Sequence, residues 1–468
     1  MSTTILGIDI GSTKICAIIA QKNDDGDVKI LGAGIAKSQG LKKGIITNID
    51  LAAKSIRNAL NDAKRVAGTQ YERVVVSISG AYTKSVDSSG IVNIPNRDIG
   101  IKEINRAMQM ADHNANIPNE YEKLHVLPYN FKVDDQEFIE DPLGMNGARL
   151  EVQVHIITAQ KSSLSNLKKA VKSAGVEIDN IVLNSYASAI AVLNHDEKEL
   201  GVAVIDMGGA TCNIMIHAGN SMRFNDYLGI GSLNITNDLS TALHTPLGAA
   251  EEIKINYGSL KSTSNDLIEL PVIGDDGSTH EVSLNIVSNV IYVRVEETLM
   301  ILAKTLEDSG FREQIGAGVV LTGGMTKLEG MRDLASAIFD NVPIRIAKPR
   351  EMDGLFETLR DPSYSTAIGL ILYGGGHFTP YEIDSNKKLR YKEEALEPSQ
   401  HHQSKFEDEI LEDEHEIPLS SIPLPKVNKE REKEKENPKE RLKDLANIQE
   451  EQSEGFGSKL WNRLTQLF

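Results

Sequence analysis

The chain has 468 residues, 40% hydrophobic and 25% charged, which is enough apolar content for two large domains or several smaller ones. A formal net charge of −17 argues against a nucleic-acid binder, which needs a basic face. The two cysteines, Cys16 and Cys212, form no CxxC pair, and the eleven histidines show no metal-ligand spacing, so buried thiols in a reducing compartment are expected.

Met1-Ser-Thr-Thr runs straight into a strand-like stretch, so no secretory leader is expected. Residues 5–10 and 15–20 are β-rich runs joined by Gly-Ser-Thr-Lys, and a turn at Asp24-Asp-Gly-Asp27 leads to a third strand. Leu51, Ile56, Ala59, Leu60, Ala63 and Val66 then recur at helical spacing, with Gly68 placed to end the helix. Residues 73–80 read as a buried strand. An amphipathic helix follows at 101–111, inside a compact α/β segment. The alternation of strands and helices continues to about residue 380 and defines an α/β protein. No transmembrane span is expected, because the longest candidate, 286–303, is interrupted by Arg294, Glu296 and Glu297.

The most informative feature is an internal repeat. Ile-Leu-Gly-Ile-Asp9-Ile-Gly11-Ser-Thr-Lys14 and Val-Ala-Val-Ile-Asp206-Met-Gly208-Gly209-Ala-Thr211 share one plan: an apolar strand, an Asp, one apolar residue, a Gly, then small or hydroxyl residues before another strand. Two copies roughly 200 residues apart imply two related halves facing each other. The chemistry is specific. Glycines let backbone N–H groups approach phosphate oxygens, and Ser12, Thr13 and Thr211 add hydroxyl donors. Lys14 adds a point charge, and Asp9 and Asp206 suit the water shell of Mg²⁺. A third strand breaks into glycines at Gly318-Val-Val-Leu-Thr322-Gly323-Gly324-Met325, with a helix expected over 326–339.

From residue 381 to 454 the chain turns polar, with an acidic run (Glu407-Asp-Glu to Glu412-Asp-Glu-His-Glu416) and a mixed-charge run, Lys429-Glu-Arg-Glu-Lys-Glu-Lys-Glu436. Such a stretch cannot bury enough surface to offset its ordering entropy, so it reads as a disordered linker with an end-to-end distance of roughly 45–50 Å. The pattern leaves room for a short helix around 439–452. At the very end, Phe456, Leu460, Trp461, Leu464, Leu467 and Phe468 share one helical face, with Lys459 and Arg463 flanking or opposite. A helix this short needs a surface to lie on: large apolar residues with basic neighbours suit an anionic bilayer, and the body of the protein or a groove on a partner are the other surfaces such a face fits.

The three glycine-bearing motifs, in this order, resemble the superfamily of actin, the heat-shock chaperones and the sugar kinases. There the pair equivalent to Gly323 and Gly324, with Met325 beside it, lies against adenosine, and the position of Lys254 lines the base and ribose. Within that superfamily, His125-Val-Leu-Pro-Tyr-Asn-Phe131, Ile139-Glu-Asp-Pro142-Leu-Gly-Met-Asn-Gly147, Ser77-Ile-Ser-Gly80, Ser88-Ser-Gly-Ile-Val92, Gly44-Ile-Ile-Thr-Asn-Ile-Asp50 and Ile235-Thr-Asn-Asp-Leu239 resemble the FtsA family of bacterial cell-division proteins. The resemblance implies an actin-like, duplicated ribonuclease-H-like, two-lobed ATPase fold that binds ATP and Mg²⁺. Lobe 1 (subdomain 1A) would comprise 1–80 and 161–195, and an SHS2-like insert (1C) residues 81–160. Lobe 2 (2A) would comprise 196–242 and 305–380, and subdomain 2B residues 243–304. The linker (381–454) and a membrane-targeting helix (455–468) would follow.

By the same resemblance, the protein self-associates into actin-like polymers on the cytoplasmic face of the membrane at the division septum. There it tethers FtsZ and helps recruit later division proteins. The FtsZ contact would lie in 243–304, where Arg294 and Glu297 are weak candidates beside the plainer reading of a salt-bridged surface. Other readings on the same fold are a type IV pilus-assembly adaptor and a small-molecule kinase. Relatives that hydrolyse ATP often place Glu or Gln where this chain has Leu183-Asn184-Ser185, so slow or negligible hydrolysis is expected.

Overall fold

The computed structural model describes residues 2–391 except 24, 82, 220, 262–264, 275, 276 and 341. The greater part of the expected linker, the helix allowed around 439–452 and the terminal helix with Phe456, Lys459, Leu460, Trp461, Arg463, Leu464, Leu467 and Phe468 lie outside the described residues.

Within the described residues the chain opens with strands β1 (Thr3–Ile10), β2 (Lys14–Lys22) and β3 (Val28–Lys37), then two short strands, β4 (Leu41–Lys42) and β5 (Ile45–Ile46). Helix α1 (Ile49–Ala67) follows. The Asn48 side chain accepts from Leu51 N at its start, and Gly68 closes it with φ 63° and a bond from its N–H to the Lys64 carbonyl, as the sequence predicts. Next come β6 (Arg73–Ile78), β7 (Thr83–Asn93), α2 (Ile101–Asn114), β8 (Tyr121–Val133), β9 (Gln136–Ile139) and β10 (Arg149–Gln160). Helix α3 (Lys161–Ser173), β11 (Asn180–Leu183), α4 (Asn184–Val192) and α5 (His195–Leu200) lead into β12 (Val202–Met207), β13 (Cys212–Ala218) and β14 (Ser221–Leu228). The remainder comprises α6 (Ser232–Ala242), α7 (Leu247–Tyr257), β15 (Leu267–Pro271), β16 (Thr279–Ser283), α8 (Leu284–Asp308), β17 (Val319–Thr322), α9 (Met331–Ile338), β18 (Ile344–Ile346) and α10 (Ser365–Gly375).

The repeat read from two hairpins extends to whole sheets. One sheet runs β11-β6-β1-β2-β3 and the other β18-β17-β12-β13-β14. In each, an antiparallel meander of three strands is flanked by two parallel strands. Asp9 faces Cys16 across the first hairpin, and Asp206 faces Asn213 across the second. The strands are buried on both faces, which is why they read as near-continuous apolar runs instead of alternating ones. Helices α4 and α10 pack on each other; α10 also lies on β1 and β6 of the first sheet, and α4 on β12 and β13 of the second. Thus α10, although late in the chain, covers the sheet of the opening lobe.

The segment between the lobe elements forms its own sheet, β7-β10-β8-β9, with α2 packed on β7 and β10 around a separate core that includes Ile104, Met108, Phe131 and Val152. The described part of 243–304 holds α7, the β15–β16 hairpin and most of α8. No helix among the described residues is long and apolar enough to cross a membrane.

Two expectations are corrected. The helix expected over 326–339 is a 3₁₀ turn (Gly324–Lys327) followed by α9, because the Thr326 hydroxyl bonds back to the Gly323 carbonyl (2.7 Å) and tightens the first turn. The folded body does not stop at residue 380. Tyr381 and Ile383 are buried, Ile383 exchanges both backbone hydrogen bonds with Val126, and Tyr381 donates to Asp141 (2.5 Å). The polar residues here are held as well. Glu382 accepts from Tyr186 (2.7 Å) and Tyr373, and Asp384 accepts from Asn180 (2.9 Å). Charge count alone marked this stretch as linker, but its acids have buried partners.

Candidate functional site

The two Asp-Gly turns meet. Each Asp ends a central strand, where the antiparallel meander on one side and a parallel neighbour on the other leave it buried. Asp9 accepts from the Ser77 hydroxyl (3.0 Å), and the same hydroxyl accepts from Ile10 N (2.9 Å). Asp206 accepts from Ser188 (2.6 Å) on α4 and Thr366 (3.1 Å) on α10. Beside Asp206 in register stands Thr322 on β17. The second turn is closed by Gly208 N–H on the Thr211 carbonyl (2.9 Å), and its Gly208 and Gly209 carbonyls receive Ser232 and Leu233 N–H at the start of α6.

Contact between the loops is direct. A Cβ at Gly209 would lie 2.3 Å from Thr13 Cγ2, so any larger residue there has to displace the Thr13 side chain. Gly323 has a φ of 90°, and a Cβ there would lie 2.4 Å from Asp206 Oδ1, so the third glycine turn closes on the same carboxylate. Thr13, Gly209 and Gly323 are thereby brought together beside the two acids, and Gly11, Ser12, Gly208, Thr211 and Gly324 belong to the same three turns.

The electrostatics describe a site suited to a cation. The Asp9 carboxyl is pushed up to about 6, chiefly by burial, with Asp206 adding to the push and Ser77 and Lys14 opposing it. Asp206 is raised by burial as well, against the pull of Ser188, Thr366 and Lys14. Two buried carboxylates, both costly to ionise and with Asp206 adding to the cost at Asp9, gain from a divalent ion. A pair with hydroxyl neighbours suits Mg²⁺, which keeps several waters. The backbone of the three glycine turns suits phosphate oxygens.

Three of the predicted residues sit differently from expectation. Lys14 is not free over the loops: its ammonium donates to the Ser363 hydroxyl (2.5 Å) and lies 3.5 Å from the Tyr364 ring centroid, so a phosphate contact requires it to leave that position. Burial pushes its pKa down, while Asp9 opposes the shift. The Lys254 ammonium is turned to protein partners. It is buried and donates to Glu251 (2.7 Å), Thr236 (2.9 Å) and the Ser232 carbonyl (3.2 Å), tying α7 to α6. The Met325 side chain is in the core, so only its backbone belongs to the turn. Arg294 forms the ion pairs of the plainer reading, with Asp238 (2.5 Å) and Glu297 (2.7 Å). The sequence does not mark Ser188, Thr366 or Ser363 as site residues, and it marks Ser77 only as part of a family motif. For Ser77 the signal was a hydroxyl residue at the end of the strand paired with β1.

The fold is that of an actin-like protein: two duplicated α/β lobes with an extra sheet inserted in the first. A type IV pilus protein solved in a PilM-PilN biogenesis complex shares it, with a TM-score of 0.58 at 19% identity over 79% of this chain and 98% of that one. Relatives described as cell division protein FtsA from Helicobacter pylori (strain J99) and Pseudomonas aeruginosa are 41% and 38% identical. They align with 90% and 79% of this chain and 92% and 89% of their own lengths. The "Cell division protein FtsA" profile matches residues 203–369, and that of the "SHS2 domain inserted in FTSA" matches 80–158. The chain belongs to the FtsA family.

Proposed function

We propose that this protein is an ATP-dependent, actin-like adaptor of cell division. It binds Mg²⁺·ATP between the Asp9 and Asp206 turns, self-associates, holds FtsZ at the inner face of the cytoplasmic membrane, and helps recruit later division proteins. The observation that carries the reading is the contact of the two loops at Thr13 and Gly209, which makes the nucleotide site a junction of the lobes. A ligand bridging both loops favours the closed arrangement by its differential affinity for it.

The partner surface is supported by exposure. Seven of the fifteen exposed large hydrophobic residues among the described residues, including Leu247, Ile255, Leu267 and Met300, fall in 243–304. The tether rests on the spacing of Phe456, Leu460, Trp461, Leu464, Leu467 and Phe468. Six partly buried side chains yield roughly 5–8 kcal/mol before the cost of helix ordering, so one copy binds weakly and a polymer binds strongly.

Co-sedimentation with anionic liposomes tests the reading, with and without ATP, comparing the full chain with one ending at Ser453. The full chain should pellet with vesicles, more so with ATP, and carry added FtsZ with it, while the shortened chain should stay in solution. Equal binding by both chains removes the tether, and absence of FtsZ from the pellet removes the adaptor role.

A further inference from the structure

Away from the paired loops lies a cavity of about 950 Å³, walled by the insert sheet, α4, α5 and the segment that follows α10. Its apolar walls are aromatic: Tyr129 from the insert, Phe378 after α10, and Tyr381 and Tyr391, whose rings stack 5.4 Å apart. Two cations, Lys198 and Arg350, also line it. Neither forms an ion pair among the described residues. Among the described residues the Arg350 guanidinium is held by the carbonyls of Ile190 (2.5 Å) and Leu193 (3.4 Å) at the end of α4.

None of the three lining carboxylates, Glu140, Asp141 and Glu199, forms an ion pair with either cation. Asp141 accepts from Tyr381 (2.5 Å) and Glu199 pairs with His195 (3.3 Å). The third, Glu140, comes from the insert and reaches neither cation within ion-pair distance. Burial pushes the Lys198 ammonium down, Arg350 adds to the push, and no acid opposes it; Arg350 is likewise lowered by burial. Two half-desolvated cations without a counterion form an unfavourable arrangement that an anion relieves.

We infer that this cavity is a second ligand site, distinct from the paired loops, which takes a small anionic molecule with a flat apolar body, its phosphate or carboxylate between Lys198 and Arg350 and its ring among the tyrosines and Phe378. The size suits such a ligand, since small-molecule sites span roughly 300–1,000 Å³. Its walls come from the insert, from α5 and the last folded segment, and from Met215 and His217 on β13 of the second sheet, so an occupant bridges the insert to the second lobe.

The test is fluorescence titration of 1-naphthyl phosphate onto the full-length protein already saturated with Mg²⁺·ATP, which takes the first site out of competition. Saturable binding is expected. It should weaken about tenfold or more in Lys198→Gln, the loss that follows removal of one charge-assisted hydrogen bond, and similarly when neutral 1-naphthol replaces the phosphate. An unchanged thermal transition in the variant without probe establishes that it is folded. Equal affinity for naphthol and naphthyl phosphate, indifference to Lys198→Gln in a folded variant, or no saturable binding at millimolar probe would each overturn the inference.

Discussion

Thr13 and Gly209 touch: the methyl of one occupies the space where the other would carry its Cβ, 2.3 Å away. The two residues belong to the two copies of the repeated turn, so this contact is where the halves of the molecule register against each other around Asp9 and Asp206.

Gly209→Ala therefore pushes the loops apart. Overpacking of this kind costs about 1–3 kcal/mol, which corresponds to roughly 5- to 150-fold in ATP affinity if closure and binding are coupled. Thr13→Ser removes the offending methyl, and the double variant should recover most of the loss in equilibrium binding of a fluorescent ATP analogue. A single Gly209→Ala variant that binds as tightly as the parent would show that the loops need not meet.

The Asp9 carboxyl makes stability depend on pH. Its folded pKa of about 6 lies above the ordinary 3.8, so the folded state holds the proton more tightly than the unfolded chain. The stability this provides is fully present below about pH 4 and is lost as pH rises through about 6, amounting to at most about 3 kcal/mol. Thermal denaturation of nucleotide-free protein should show this loss, and Asp9→Asn should flatten it. Mg²⁺ with ATP should restore stability at neutral pH in the parent but much less in the variant. A parent and variant with parallel pH curves would contradict the assignment.

Lys254 ties two helices together. Lys254→Met removes the buried ammonium from Glu251, Thr236 and the Ser232 carbonyl. The expected cost is about 2 kcal/mol in urea denaturation, below that of a fully buried pair because Glu251 is partly exposed and can be rehydrated. If stability held and only ATP affinity fell, the direct nucleotide contact implied by family resemblance would be the better account.

The architecture was legible where chemistry repeats. The Asp9 and Asp206 turns share enough residues to reveal the duplication, and Gly68 marked the end of α1. What escaped depended on contacts distant in sequence. Ser188 and Thr366 lie 178 residues apart, on crossing helices, yet hold one carboxylate. Nothing local distinguishes them from other helical hydroxyl residues. The end of the folded body escaped for a similar reason: Glu382 reads as one more linker charge until Tyr186 and Tyr373 are seen to donate to it.

That last segment gives a boundary test. A chain ending at Pro380 lacks Tyr381 and Ile383, uncovers Val126 and Phe131, and leaves the Tyr186 and Tyr373 hydroxyls without Glu382. Loss of two large buried side chains predicts a drop of at least about 4 kcal/mol relative to a chain ending at Tyr391. Urea denaturation of the two distinguishes them, and equal midpoints would return residues 381–391 to the linker.

Hydrolysis is the remaining expectation, and it turns on one amide. Asn184 opens α4 directly after β11, and its buried Oδ1 has no partner among the described residues. An amide there can orient a water molecule but is a poor acceptor for its proton, so turnover by the purified protein should stay below about one per second, against a typical enzyme rate near 10 s⁻¹. Asn184→Glu supplies a carboxylate whose burial raises its basicity, and turnover should rise at least tenfold with Mg²⁺·ATP binding retained. If the variant binds ATP and its rate does not change, the start of α4 is not where the attacking water is held. The slow rate would then have its origin in the geometry of the paired loops.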